Sequence, residues 1–278
     1  MSYIPDIKVI AVSSGKGGVG KTNVCVNLGI GLINQGKSVM IMDADLGMAN
    51  IDVMLGLKPQ YDLDDVISGN CSLEEIIVTG PKGLKIIPAA SGVGRMANLS
   101  TKEHAGLIQA FDEIQNHVDV LLIDTAAGIS DSVVSFCKAC QDVLVVVCDE
   151  PASITDAYAL IKVLSTEHSV NRFQILANRV KNIEHGKALY SKLLNATDQF
   201  LNVSLGYSGS VPNDDNLVEA VKKQQAVIEI SPQSPASIAF QSLARSIINM
   251  PANIRGHSNI SFFTERQIRQ ECMTGGVS

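Results

Sequence analysis

The amino-acid sequence predicts a doubly wound α/β fold built on a mostly parallel β-sheet. Short apolar runs alternate with longer stretches whose apolar residues recur at helical spacing, which is the pattern of repeated βαβ units. Most of the short runs are apolar at consecutive positions, as expected for strands that helices cover on both faces. In such sheets ligands bind beyond the carboxyl ends of the strands, where this sequence is rich in Gly, Asp and Asn.

The candidate strands follow one another along a single predicted domain. They are residues 8–14, 38–43, 84–89, 118–125, 143–149, 173–180 and 204–212. No internal repeat or interdomain linker interrupts them, so one α/β domain is predicted over residues 1–250. A stretch rich in Pro, Asn and Gly follows, and residues 251–278 are predicted to be a tail that includes at most a short helix.

The composition favours a soluble protein of a reducing compartment. The chain has 278 residues, 46% of them hydrophobic, and a net charge of -6, which does not favour binding to a phosphate backbone. We therefore expect no nucleic-acid binding by the protein itself. Six irregularly spaced cysteines, no signal-like start and no apolar stretch of about 18 residues lead us to expect a cytoplasmic location.

A phosphate-binding loop follows the first predicted strand. The pattern GxxxxGK[ST] is met between that strand and an apolar helical segment, which is the context the motif requires. Its glycines aim successive N–H groups at phosphate oxygens, Lys21 is expected to bridge the β- and γ-phosphates, and the Thr22 hydroxyl is expected to bind Mg²⁺. The predicted ATP or ADP contacts are Gly15, Lys16, Gly17, Gly18, Val19, Gly20, Lys21, Thr22 and Asn23.

A second lysine, Lys16, lies inside the loop and is predicted to project away from the phosphates of its own chain. The string KGGVGKT resembles the deviant Walker A family of MinD, ParA and the nitrogenase iron protein. That resemblance implies a P-loop ATPase of the SIMIBI class in which this lysine reaches a nucleotide held by a second subunit. It therefore implies a homodimer with ATP and a catalytic role for Lys16 as well as Lys21.

Two carboxylates follow the second strand, two residues apart, so they are able to point the same way. The family resemblance implies that Asp43 holds a metal-bound water and that Asp45 orients the attacking water. The alternative is a turn in which aspartate accepts local backbone hydrogen bonds.

An apolar run that ends in Asp124 resembles a Walker B strand. Asp124 is the candidate residue that binds Mg²⁺ through a coordinated water. Gly128, four residues later, is predicted to offer an N–H to the γ-phosphate, so that order in this loop reports hydrolysis.

The next strand leads into Glu150 and a helix predicted from about residue 153, with Asp156 in its first turn. There Asp156 would serve as a dipole partner, or, by resemblance to MinD, would pair with Lys16 of the other subunit. Glu150 is expected to approach the nucleotide across the same interface.

Base recognition is assigned to the last two strand ends. The Asn178 amide has a hydrogen-bond donor and an acceptor, which match the acceptor and the donor on an adenine edge. Arg179, the next residue, is assigned to the same site. The loop that follows the last strand is expected to close over the adenine with backbone groups of Val211, Pro212 and Asn213. Asp214 is assigned there too, although capping of a helix over residues 216–224 explains it as well.

The resemblance extends from about residue 8 to residue 248 and is strongest to the flagellar-number regulators FlhG and FleN. The segments that carry it are residues 43–53, 103–111, 124–136 and 147–164. It implies a weak ATPase that antagonises a FleQ-like σ54-dependent activator of flagellar genes. It also implies contact with an FlhF-type GTPase and flagellar C-ring components, and a polar or membrane-associated pool in the ATP state.

Two segments depart from that family pattern. Relatives carry an N-terminal helix that stimulates the GTPase, whereas only seven residues precede the first strand here. Relatives also end in an amphipathic membrane helix, but at about 100° per residue Ile260, Phe262, Phe263 and Ile268 form no single stripe. A weak, conditional membrane contact and a tail docked on its own domain are both left open.

Two other functions remain in competition. Cys137 and Cys140 form a CxxC that suggests an iron–sulfur reductase or scaffold, while the three-residue spacing equally fits two core cysteines on one helix face. A division-site or DNA-partitioning ATPase of the MinD or ParA type would require strong lipid binding or salt-sensitive DNA binding. The acidic charge and the unpatterned tail do not favour either.

Overall fold

The computed structural model describes residues 7–45, 50–89, 99–114, 118–251 and 261–263. These residues form an eight-stranded sheet with the order β3-β4-β2-β5-β1-β6-β7-β8. The strands are β1 Lys8–Ser14, β2 Val39–Ala44, β3 Val78–Thr79, β4 Lys85–Ile87, β5 Val120–Ala127, β6 Asp142–Cys148, β7 Arg172–Val180 and β8 Ser204–Pro212. The doubly wound, mostly parallel fold is therefore confirmed.

Helices follow most of the strands and cover both faces of the sheet. They are α1 Lys21–Ile33, α2 Ile51–Leu55, α3 Leu63–Ile67, α4 Thr101–Ala110, α5 Asp131–Ala139, α6 Pro151–His168, α7 Ile183–Phe200, α8 Asp215–Lys222, α9 Val227–Ile230 and α10 Pro235–Asn249. Short 3₁₀ turns occur at Pro81–Gly83 and Phe111–Glu113. The helices α4 to α7 pack on one face, and α1, α2 and α8 to α10 on the other.

The sequence prediction missed one strand. β3 is two residues long, only half buried, and pairs antiparallel with β4, so it carries neither an apolar run nor an alternating pattern. The other predicted strands were found: β1 and β8 have the predicted bounds, and the ends of the others are shifted by at most two residues. The central strands β1, β2 and β6 are buried at nearly every position, which explains why their apolar residues are consecutive.

Lys8 connects the first strand to the last helix at the edge of the sheet opposite the phosphate loop. Its Nζ donates to the carbonyls of Ile247, at 2.7 Å, and Met250, at 2.8 Å. Burial lowers the pKa of Lys8, and nearby Asp142 opposes that effect. The lysine thus caps the C-terminal end of α10, where the Ile247 carbonyl also accepts the Met250 N–H at 3.3 Å.

The described part of the tail is docked in the core. Phe262 and Phe263 are fully buried, and their rings make edge-to-face contacts with Phe111 at centroid distances of 4.8 and 5.8 Å. Phe262 also stacks near Phe136 of α5. Of the two alternatives for the tail, docking on the domain is what residues 261–263 show; the predicted short helix, with Ile260 and Ile268, lies outside the described residues.

Where the chain is described, no helix combines the length and apolar character needed to cross a membrane.

A buried histidine beside this aromatic cluster leads to a prediction about pH. His104 is only 4% exposed, its ring meets Phe136 edge-to-face, and its Nε2 has no hydrogen bond within the described residues. Burial lowers its pKa, while a backbone hydrogen bond to Ser100 and the charges of Asp131 and Glu103 oppose that effect. Folding therefore favours the neutral ring, so stability should be lost as the pH falls through about 6.5, the pKa of an unfolded histidine.

We expect the urea midpoint of the natural chain to fall more between about pH 7.5 and pH 5.5 than that of His104→Gln, which cannot protonate. Circular dichroism at both pH values measures this, with His168→Gln as the control for a histidine at a helix end. Parallel midpoints for the natural chain and His104→Gln would contradict the prediction.

Candidate functional site

A glycine-rich loop, residues 15–20, joins the end of β1 to the start of α1. Gly18 and Gly20 adopt positive φ angles of 76° and 97°, a conformation that side chains rarely take. A Cβ on Gly15 would lie 2.1 Å from the backbone carbonyl of Asp156, so α6 packs directly on the loop. The loop therefore has the backbone freedom and the helix N-terminus that a phosphate site needs, and α1 begins at Lys21.

Lys21 sits over the inside of this loop. Its Nζ donates to the Ser14 hydroxyl at 3.0 Å, and that hydroxyl donates to the Lys16 carbonyl at 2.7 Å. Burial lowers the pKa of Lys21, whereas the charges of Asp124 and Asp45 raise it. The ammonium group is thus held among oxygen atoms at the mouth of the loop, where phosphate oxygens would replace the hydroxyl as its partner.

The tip of β5 places Asp124 beneath the loop. Its side chain is 1% exposed, and neither carboxylate oxygen accepts a well-formed hydrogen bond among the described residues. Burial raises its pKa to about 6, and the neighbouring Thr22 hydroxyl, Lys21 and the Cys25 thiol act in the opposite direction. A buried carboxylate with open lone pairs beside a threonine hydroxyl fits a hydrated Mg²⁺, as predicted for Thr22 and Asp124.

Asp43 occupies the matching position on the neighbouring strand β2, in register with Asp124. Its oxygens accept the N–H groups of Asp45, Asn50 and Ile51 at 3.2, 2.9 and 3.1 Å, which caps α2. Burial and Asp124 raise the pKa of Asp43 to about 8. The local hydrogen bonding that was the alternative for Asp43 is thus present, and its contact with a metal-bound water stays a prediction.

Asp45 points toward the same centre and completes the acidic group. Asn50 donates its amide to the Asp45 carboxylate at 3.3 Å, and the carboxylate is close enough to raise the pKa values of Lys21 and Asp124. Residues 46–49 of this switch segment lie outside the described residues. Asp45 therefore lies near Lys21 and Asp124, and its role in orienting the attacking water stays a prediction.

Gly128 follows β5 at a positive φ of 96°. Its N–H donates to the Ser14 carbonyl at 2.9 Å, so the group predicted to sense the γ-phosphate is bonded to the end of β1. A γ-phosphate contact would have to replace that bond.

The signature lysine has a partner within its own chain. Lys16 Nζ pairs with Glu150 Oε2 at 2.5 Å, which raises the pKa of Lys16 and lowers that of Glu150. Lys16 does project away from the loop, but the charge it meets here is a neighbouring carboxylate. α6 begins at Pro151, so Asp156 lies beyond the first turn and its role as a dipole partner there was wrong; its charge also acts on Lys16.

Asn178 reaches the phosphate loop from the end of β7. Its Nδ2 donates to the Val19 carbonyl at 2.7 Å, and its Oδ1 is buried without a hydrogen bond in the described part of the chain. The predicted donor is therefore engaged by the loop, and the free acceptor is left for an adenine amino group. The next residue, Arg179, is exposed at a positive φ of 55°, where β7 bulges against β8.

The loop after β8 is built largely by Asp214. This residue caps α8 through the N–H of Asn216 at 2.9 Å and also accepts the N–H of Ala236 at the start of α10, at 2.9 Å. The predicted cap is confirmed. Val211 is fully buried and the Asn213 N–H donates to the Val180 carbonyl, so the backbone groups assigned to the adenine are partly used within the protein. Pro212 ends β8 beside them.

One cluster at this edge was missed by sequence reasoning. His185 Nε2 contacts Asp149 Oδ2 at 2.6 Å, the Lys181 N–H donates to its Nδ1, and Lys192 lies 3.5 Å from Asp149. These contacts tie the tip of β6 to the start of α7. An isolated histidine one turn into a helix gives no sequence signal for a partner 36 residues away.

The two cysteines of the CxxC are core residues. Cys137 and Cys140 are fully buried, and burial raises the pKa of Cys137 to about 12. No group of three or more metal-binding side chains occurs within the described residues. Buried, protonated thiols are poor cluster ligands, so the structure favours the packing alternative.

Comparison with known proteins places these features in context. The family model ParA, described as an NUBPL iron-transfer P-loop NTPase, matches residues 7–248. The antiactivator FleN of Pseudomonas aeruginosa is 53% identical, across 100% of this chain and 99% of its own. The flagellum site-determining protein YlxH of Helicobacter pylori is 34% identical, across 87% and 82% of the two chains.

Solved structures agree with this. The septum site-determining protein MinD of Pyrococcus horikoshii, complexed with Mg-ADP, superposes with a TM-score of 0.72 at 25% identity, over 88% of this chain and 97% of its own.

Proposed function

This chain belongs to the ParA/MinD family of P-loop NTPases, and from that premise we propose that it is a slow, ATP-dependent dimerising switch that limits flagellar number. Proteins of this family are ATPases. We propose that the switch acts in the cytoplasm by antagonising a FleQ-like σ54-dependent activator, with a polar or membrane-associated pool in the ATP state.

The observation that carries the flagellar assignment is the full-length likeness to the antiactivator FleN, at 53% identity. The flagellum site-determining relative supports it, since the names of the two relatives concern gene activation and flagellar placement. Iron transfer is not proposed, because Cys137 and Cys140 are buried in the core. Contacts with an FlhF-type GTPase and the C-ring remain secondary proposals.

The chemistry follows from the site. The loop amides and Lys21 would hold the phosphates, Thr22 and Asp124 would hold Mg²⁺, and Asp45 would orient the attacking water. Mg²⁺, when bound, supplies positive charge that offsets the charge on the phosphates. The MinD structure with Mg-ADP supports this choice of ligands.

Lys16 forms an ion pair with Glu150 within one chain. We propose that Lys16 leaves Glu150 to reach a nucleotide in a second subunit, so the pair within one chain competes with the dimer. Lys16→Ala should bind ATP and stay a monomer, whereas Glu150→Gln, which frees the lysine, should dimerise at a lower ATP concentration. Light scattering with ATP and Mg²⁺ measures both, and an ATP-dependent dimer of Lys16→Ala would rule out the trans lysine.

The function itself is tested by counting flagella. Deleting the gene should change the number of flagella per cell seen by electron microscopy, and the natural gene should restore it. Lys21→Ala, expressed at the same level, should not. An unchanged count in the deletion strain would refute flagellar control, and an ATP-independent effect on a purified σ54-dependent activator would refute the switch.

A further inference from the structure

The outer edge of the sheet carries a cavity that the nucleotide site does not use. β8 is the last strand in the sheet order, and a cavity of about 630 Å³ lies along it between the start of α7 and the start of α10. Its lining is mainly apolar, with Pro212 and Leu243 among the residues, and Ser208 and Ser210 add hydroxyl groups from the strand. A cavity of this size and character is typical of a binding site.

The strand itself offers backbone groups on its free side. In a parallel sheet, the N–H and C=O groups of an edge strand alternate between the neighbouring strand and the open side. The register between β7 and β8 skips Ser208, which marks a bulge in β8, and the Ser208 hydroxyl donates to Gln174 Oε1 on β7 at 3.0 Å. No other strand of the described residues covers this side, so an extended peptide would find hydrogen-bonding partners here.

Two exposed isoleucines flank the β8 edge, one on each face of the sheet. Ile183 at the start of α7 is 61% exposed and Ile238 in the first turn of α10 is 52% exposed, and both line the cavity. The two helices belong to opposite faces of the sheet. Successive residues of an added strand point to opposite faces, so two adjacent apolar residues would each meet one isoleucine.

The charges next to the isoleucines favour acidic residues in the adjoining part of the peptide. Lys187 lies one turn after Ile183, and Arg245 lies two turns after Ile238, so helical spacing places each cation on the same side as its isoleucine. Both are exposed, and no ion pair is found for either among the described residues. They lie about 6 and 10 Å further toward the Ser204 end of β8, a distance of two to three strand residues at about 3.3 Å each.

We propose that the β8 edge binds an extended segment of another protein as a ninth strand antiparallel to β8, with two adjacent apolar residues followed by acidic residues that reach toward the Ser204 end. Charge supports this occupant, because Lys187 and Arg245 are exposed cations and the acidic residues of such a peptide would neutralise them. Glu184, which also lines the cavity, lies at the apolar end and away from the acidic residues of such a peptide.

The probe is a fluorescein-labelled octapeptide, Thr-Thr-Val-Ile-Glu-Glu-Thr-Thr. We expect saturable binding by anisotropy, and shifts of the Ile183 and Ile238 methyl signals in ¹³C-methyl NMR spectra of the full chain. A peptide N-methylated at alternate residues, on the side that faces β8, should lose at least about tenfold in affinity, because those N–H donors are removed. The double variant Lys187→Glu and Arg245→Glu should weaken binding by about tenfold, and a Lys-Lys peptide should restore it.

Several results would overturn the proposal. They are no binding of the octapeptide, equal binding of the N-methylated peptide, methyl shifts that spare both isoleucines, and charge reversal without effect. Self-association of the free chain that Ile238→Glu abolishes would assign the edge to a second copy instead. The comparison of the octapeptide with its N-methylated form uses the natural chain. Its result therefore does not depend on whether a protein variant folds. It also does not depend on ATP, which separates this site from the proposed switch.

Discussion

Lys21→Ala is expected to abolish ATP binding. The ammonium group of Lys21 lies inside the phosphate loop, 3.0 Å from the Ser14 hydroxyl, and is partly desolvated by its surroundings. A cation held there in advance binds phosphate oxygens strongly, and its removal also leaves Asp124 and Asp45 to repel the triphosphate. We expect a loss of affinity of at least about a hundredfold, or about 2.7 kcal/mol.

Isothermal titration calorimetry with ATP and Mg²⁺ measures this loss. Lys16→Ala is the matched control, because it removes a cation from the same loop that points away from the phosphates and pairs with Glu150. If Lys21→Ala and Lys16→Ala lost the same affinity, the different roles given to the two lysines would be wrong.

Asp45→Ala is expected to bind ATP and dimerise but to lose turnover by about a hundredfold or more. Asp45 accepts a hydrogen bond from the Asn50 amide at 3.3 Å, and its charge acts on both Lys21 and Asp124. Removing it takes away the carboxylate that orients water and reduces the negative charge near the phosphates. ATP affinity should therefore stay the same or rise.

Phosphate release and light scattering test the two halves of this prediction. Asp52→Ala is the control, since Asp52 lies on the adjacent helix α2 and its carboxylate accepts the neighbouring Val53 N–H. Normal turnover in the Asp45 variant would defeat its assignment, and loss of ATP binding would show that Asp45 shapes the loop instead.

Most of the fold could be predicted because its strands are apolar on consecutive positions. β1 and β6 are buried almost throughout, and burial on both faces requires apolar residues at consecutive positions, which can be recognised in the sequence. β3 leaves none, because two half-exposed residues at a sheet edge have no periodicity. The start of α6 was misplaced by two residues since Pro151, acceptable in the first turn of a helix, resembles a boundary.

The part of the site that could be predicted consists of residues within recognisable sequence motifs. The loop, Lys21 and Asp124 fall together because β1 and β5 are neighbours in the sheet. Contacts between distant segments were not predictable: Lys16 with Glu150, Asn178 with Val19, and Asp149 with His185. Each of these contacts depends on which strands are neighbours in the sheet. The order β1-β6-β7 cannot be deduced from any local sequence pattern.

The lysine at the start of β1 has a practical consequence for work in living cells. Because Lys8 donates hydrogen bonds to the end of α10, the start of β1 and the end of α10 lie close together, at the end of the sheet opposite the phosphate loop. A fluorescent reporter joined ahead of that lysine would be attached at the end of β1 remote from the phosphate loop. Tracking the protein by microscopy should therefore leave its ATP cycle intact.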